Sequence, residues 1–137
     1  MTKGKAWLMK LGFQEVGYFT LQENHINVSL RHASNESGVY AFLIGNDVMY
    51  VGETGTGLLN TISSYLRPGP RQKTRLRIKE SIMRALHRGQ RVDILFIGMS
   101  TINELEPIEM AGEKILITRR ILERILIDHL RPPWNKR

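Results

Sequence analysis

The pattern of apolar and polar positions divides the chain into short extended runs and three amphipathic ones. In "VGYFTLQENHINVSL", residues 16 to 30, two β-leaning runs flank the polar "QENH", which predicts a hairpin. The turn-forming "SNESG" from Ser34 to Gly38 resets the chain. Next, "GVYAFLI" and "VMYVGE" flank "GND", a tight-turn composition, so a second hairpin is predicted over about 38 to 52. Both of its strands are apolar almost throughout, which predicts a central place in the sheet.

Beyond "ETGTG" the period changes. Leu58, Leu59, Ile62, Tyr65 and Leu66 recur at helical spacing, and "RPGP" forbids continuation, so a helix is predicted over 58 to 66. A second helix, about Lys73 to Arg88, puts Ile78, Ile82, Ala85 and Leu86 on one stripe and stops at Gly89. The run "VDILFIG" from Val92 predicts a third central strand, followed by the polar loop "MSTINELEP". A last helix is predicted over roughly Ile108 to Leu130, with Ile115, Leu122, Ile125 and Leu126 apolar, ending at "RPPWN". Two hairpins, two helices, a strand and a helix make an α+β fold, a layer of helices on a small, mostly antiparallel sheet.

The 137 residues suit one domain, with no internal repeat or linker to divide them. Cysteine is absent, and no window approaches the roughly 20 apolar residues that span a bilayer. "MTKGKAWLMKLGF" has a basic start but no apolar run of signal-peptide length, so a soluble, cytoplasmic protein with no membrane partner is expected.

Charge changes the picture further. The net charge is +7 and the pI about 10.1, a balance that draws a chain towards polyanions. Arg67, Arg71, Lys73, Arg75, Arg77, Lys79, Arg84, Arg88 and Arg91 crowd one segment against the single acid Glu80, while Glu104, Glu106, Glu109 and Glu113 lie elsewhere. A phosphate-facing surface is the functional reading of that segregation, and a solvated helix face is the plainer one.

Candidate chemistry sits in three pieces: "GVY" at Gly38 to Tyr40, "YVG" at Tyr50 to Gly52, and "ERILIDHLRPPWN" from Glu123 to Asn135. The hairpin pairs the two tripeptides, so Tyr40 and Tyr50 can meet as cross-strand neighbours. Glu123 interrupts the apolar "ILERILI", where an unpaired buried carboxylate would be costly. It could face solvent or pair with Arg119 or Arg120; facing the sheet, it would suit Mg²⁺, which takes one or two carboxylates and keeps most of its waters. His25, His32, His87 and His129 lack paired metal spacing, and "GETGTG" lacks the Gly-Lys-Ser/Thr of a nucleotide-binding loop.

Taken together, these pieces resemble the GIY-YIG nucleases. "GVY" and "YVG" stand for the family's two tripeptides, with valine for isoleucine in both; "ETGTGLLNTISSYL" is similar to its loop and first helix, and Glu123 with the terminal Pro-x-Trp-Asn to its glutamate helix. The likeness covers about residues 36 to 135. Residues 1 to 35 would be an extension carrying a β-hairpin, packed on the same domain as residues 36 to 137.

The resemblance implies an endonuclease that hydrolyses phosphodiester bonds in DNA, with RNA as the other candidate, using one Mg²⁺ or Mn²⁺ held by Glu123. It implies that Tyr40 is the general base or orients the water, a role that needs a nearby positive charge to favour phenolate. Tyr50 would bond the scissile phosphate or that water, and Gly52 would let backbone pass close to substrate. Arg67, Arg71, Lys73, Arg75 and Arg77 would grip the phosphate backbone, and Asn135 would fasten the C-terminal segment. Cutting both strands with a one-site fold would need a homo-oligomer or sequential nicking.

The match fails at two positions. The family pattern Leu-x-x-Arg-x-x-x-Tyr, set on Leu58 and Tyr65, puts Thr61 where an arginine is usual. A lost transition-state charge costs on the order of 10²-fold to 10⁵-fold in rate. The alternative is therefore a catalytically inactive nucleic-acid-binding module of the same fold, unless Arg71, Arg75 or Arg77 reaches across. Glu53, directly after "YVG", stands where the family often has lysine. A third reading is a basic protein that binds only other proteins.

Overall fold

The computed structural model describes residues 4–31 and 35–136. In chain order the elements are α1 (Lys5–Leu11), β1 (Gln14–Gln22), β2 (His25–Leu30), β3 (Gly38–Ile44), β4 (Asp47–Thr54), α2 (Leu58–Leu66), α3 (Lys73–His87), β5 (Val92–Gly98), α4 (Met99–Ile102), β6 (Ile108–Met110), β7 (Glu113–Ile115) and α5 (Arg119–Leu130). The fold is α+β: a five-stranded sheet in the order β2-β1-β5-β3-β4, antiparallel throughout, with helices on both faces.

Alternation along the strands builds two cores. Tyr40 and Phe42 of β3 join Phe19, Ile94 and Phe96 beneath Leu58, Ile62 and Tyr65 of α2 and Ile78, Ile82 and Ala85 of α3. On the opposite face Val39, Ala41 and Leu43 join Leu95 and Ile97 beneath Leu8 of α1 and Leu122 and Leu126 of α5. Among the described residues no helix is long and apolar enough to cross a membrane.

Both predicted hairpins form, as do α2 and α3 within a residue of their predicted bounds. Part of the predicted turn at Ser34 to Gly38 lies outside the described residues. The first hairpin belongs to the main sheet, with β1 seated between β2 and β5.

Four expectations need correction. β3 is interior, but β4 is an edge strand despite its apolar composition. Other parts of the chain cover its open side: the Trp134 N–H donates to the Met49 carbonyl at 2.8 Å, and the Asn135 amide bonds both the N–H and the carbonyl of Val51, each at 2.9 Å. An apolar edge closed in this way resists pairing with another chain.

The last helix does not begin at Ile108. Residues 108 to 115 form a small hairpin, β6 and β7, whose turn at Ala111 and Gly112 takes positive φ (51° and 82°). That left-handed pair ends any helix there, and its second position suits glycine. Helix α5 begins only after Thr118, whose side chain accepts from the Ile121 N–H at 3.3 Å as an N-cap. Ile115, expected on the helical stripe, is instead a strand residue and 38% exposed. The expected polar loop after β5 starts with the helical turn α4, and α1, seven residues long, was not predicted.

Candidate active site

Three tyrosines from two strands and a helix meet under α2. Tyr40 lies directly opposite Gly52, and Tyr50 opposite Phe42. The predicted Tyr40 and Tyr50 pair is therefore diagonal rather than face to face, with ring centroids 6.2 Å apart. Tyr65, from the last turn of α2, completes the cluster: its hydroxyl is 2.6 Å from that of Tyr40, and it also hydrogen-bonds Tyr50. Phe42 supports the group from below, 5.3 Å from Tyr40 and 5.8 Å from Tyr50. Tyr40 is only 2% exposed, whereas Tyr50 is half-buried with one side towards solvent.

Gly52 has a steric purpose. A Cβ there would stand 2.5 Å from the Tyr40 hydroxyl oxygen and 2.6 Å from its Cζ. The glycine makes room for the phenol, where the sequence suggested clearance for substrate.

Burial holds the Tyr40 phenol protonated, pushing its pKa far above the ordinary 10; Tyr50 and the Glu123 charge act the same way, and the Tyr65 hydrogen bond and Arg75 oppose them. Burial also raises Tyr65, with both tyrosine neighbours adding to it. Tyr40 and Tyr65 are thus a bonded pair of neutral hydroxyls.

Glu123 reaches the same end of β4 from α5. It is half-buried, and its carboxylate accepts from the Glu53 backbone N–H at the strand edge. Burial first, and the Glu53 charge next, raise its pKa; that hydrogen bond and the charges of Arg124 and Arg120 lower it. Arg119 does not pair with Glu123. Its Nε donates to Glu53 Oε1 at 3.2 Å, and Arg120 Nε lies 3.9 Å from the same oxygen. The Glu53 charge is thus partly neutralised by α5. Glu123 and Glu53 are the carboxylates that could hold a hard divalent cation here, a small oxygen donor set of the kind Mg²⁺ accepts.

Thr61 is buried, at 5% exposure, and its hydroxyl is committed. It donates to Thr54 Oγ1 at 2.7 Å; Thr54 Oγ1 donates to the Gly57 carbonyl at 3.0 Å and accepts from the N–H groups of Gly57 and Thr56 at 3.1 and 3.3 Å. Two threonines therefore lock the "ETGTG" loop onto the start of α2, a pairing that no sequence spacing announces.

The basic run separates into different tasks. Arg77 Nη1 donates to the Trp134 carbonyl at 2.7 Å, and Lys79 Nζ to the Leu66 carbonyl at 3.1 Å, so both fasten the fold. Arg67, Arg71 and Lys73 are exposed. Arg75 alone of the five named arginine and lysine candidates joins the tyrosines, its Cζ 4.6 Å from the Tyr65 ring centroid. The sequence marks Tyr65 only as helix packing and motif anchor. Its place four residues after Thr61, one helical turn on, was the available signal.

No family model matches the chain, and no curated protein matches it by sequence. Solved structures do match. A mutant of bacteriophage T4 EndoII superposes with a TM-score of 0.70 at 19% identity, over 96% of this chain and 97% of that one. The restriction endonuclease HPY188I, solved in complex with product DNA, gives 0.52 at 14% identity, over 99% of this chain and 84% of that one. The chain therefore has a nuclease-like fold over nearly its whole length.

Proposed function

We propose that the chain is a divalent-metal-dependent endonuclease of the GIY-YIG type that hydrolyses phosphodiester bonds in DNA. The observation that carries this reading is the convergence of Tyr40, Tyr50, Tyr65 and Glu123 at one end of β4. The likeness to two endonucleases supports it, and a neighbour bound to product DNA supports DNA as the partner.

In this reading Glu123 would hold Mg²⁺ or Mn²⁺. When bound, the cation would draw charge from the scissile phosphate and its leaving oxygen. Glu53, tied to Arg119, lends carboxylate density without a full second charge. Tyr50, the accessible phenol, donates a hydrogen bond to the phosphate or to the attacking water. Tyr40, held protonated and bonded to Tyr65, orients that water; of its two expected roles, geometry favours this one over general base. A water oxygen bonds to phosphorus as it gives up a proton to bulk water, the bond to the leaving oxygen breaks, and that oxygen takes a proton from solvent. Arg67, Arg71 and Lys73 would follow the flanking phosphates, each contact adding to salt sensitivity.

One observation favours the second reading, a binding module without the reaction: α2 presents the committed Thr61 hydroxyl where a cation is expected. The test is plasmid DNA incubated with the protein in Mg²⁺, in Mn²⁺ and in EDTA, beside Glu123→Ala and an RNA substrate. Nicking that needs metal and Glu123 supports the nuclease. Salt-sensitive binding with no cleavage in any condition replaces it with the binding module, and faster cutting of RNA reassigns the substrate.

A further inference from the structure

We propose that Arg75, from α3, supplies the phosphate-stabilising charge that α2 lacks at Thr61. This rests on the nuclease reading above.

Arg75 occupies the third position of α3, yet its guanidinium docks on α2. Nη1 donates to the Thr61 carbonyl at 3.4 Å, so the cation arrives at the turn where the motif would place an arginine. Cζ lies 4.6 Å over the Tyr65 ring, and the Tyr65 hydroxyl is 2.6 Å from Tyr40. Stacking on an aromatic face fixes the plane of the fork, which a lysine would not reproduce.

Among the described residues the remaining donors of Arg75 make no hydrogen bond. A guanidinium carries five N–H groups, and one is used on Thr61. Among the described residues the ion pairs involve Lys5, Arg91, Arg119, Arg120 and Arg124, so no carboxylate neutralises Arg75. A forked, uncompensated cation beside the tyrosines suits the non-bridging oxygens of a phosphate gaining charge. Its nearness is also registered at Tyr40, where Arg75 works against the effect of burial. The charge comes from the neighbouring helix α3 and meets α2 at the Thr61 carbonyl and the Tyr65 ring.

The experiment measures single-turnover cleavage of a DNA duplex in Mg²⁺ and duplex affinity by fluorescence anisotropy, with thermal melts to verify folding. The proteins are the wild type, Arg75→Ala, Arg75→Lys, Thr61→Arg and the double variant Arg75→Ala/Thr61→Arg. Arg75→Ala should lower the cleavage rate by on the order of 10²-fold or more while affinity changes by less than about threefold. Arg75→Lys should restore part of the rate, and the double variant should cut faster than Arg75→Ala. Should Arg75→Ala unfold, Arg75→Lys carries the comparison, with a rate below wild type at unchanged affinity expected.

Three results would overturn the proposal. Wild-type rate in Arg75→Ala would put the charge elsewhere and leave the nuclease reading intact. A rate loss that saturating protein abolishes would make Arg75 a backbone grip only. No cutting by the wild type, with cutting by Thr61→Arg, would show a disabled nuclease whose missing charge Arg75 does not replace.

Discussion

Replacing Gly52 by alanine isolates how the tyrosine cluster is built. The new Cβ would stand 2.5 Å from the Tyr40 hydroxyl oxygen, 2.6 Å from Cζ and 3.1 Å from Cε1. The first two contacts are about 1 Å inside the ~3.5–4.0 Å optimum for non-bonded atoms. The ring has little room to retreat: Phe42 stands 5.3 Å away, Tyr65 6.1 Å away, and the hydroxyl bond to Tyr65 is 2.6 Å long. Overpacking costs about 1–3 kcal/mol, and losing the hydroxyl pair about 1 kcal/mol more, so Gly52→Ala should destabilise by about 2–4 kcal/mol. Urea unfolding of Gly52→Ala, Tyr40→Ala and the double variant forms a cycle. With the phenol gone, the alanine should cost less than about 1 kcal/mol, since strands accept it at least as well as glycine. An equal penalty in both backgrounds would refute the steric account and return Gly52 to a substrate-clearance role.

Thr61→Val removes the donor to Thr54 Oγ1 at nearly constant volume, so it should cost about 1–3 kcal/mol of stability in a thermal or urea melt. Asn135→Ala strips both bonds from Val51; the protein should lose about 1–3 kcal/mol, and hydrogen exchange at the Val51 amide should accelerate. Glu123 has a raised pKa from an ordinary value of 4.5, so the fold retains a proton that the unfolded chain has released. Without divalent metal, stability should therefore fall as pH rises from 4.5 through that raised value, and stay lower above it. Glu123→Gln should flatten this slope in urea melts across pH 4 to 8, and an unchanged slope would contradict the assignment.

What the sequence disclosed and what it hid divide along physical lines. Helix α2 was legible at both ends because "RPGP" and the glycine loop are local signals, and the hairpin β3–β4 because "GND" is. A helix from Ile108 would run through Gly112 and Thr118, and the positive φ of the one and the capping hydroxyl of the other both outweigh apolar periodicity. The edge position of β4 could not be read from its composition, since the groups covering it, Trp134 and Asn135, are more than 80 residues away. At the site, the identities of Tyr40, Tyr50 and Glu123 were visible as motif pieces. The Thr54 to Thr61 lock was not, and Arg75 was one of three cations that could reach across, because each contact depends on how α2 meets its neighbours in space.

If Glu123 and the tyrosine cluster form a metal-dependent phosphodiesterase centre, as we propose, Glu123→Ala at matched DNA occupancy is the variant that must fail. Saturating wild-type protein in Mg²⁺ should cut a duplex, and Glu123→Ala should lose on the order of 10²-fold to 10⁵-fold in single-turnover rate while binding DNA within about threefold of wild type. Cleavage by Glu123→Ala at the wild-type rate, still dependent on metal, would contradict the account and place the cation on other residues.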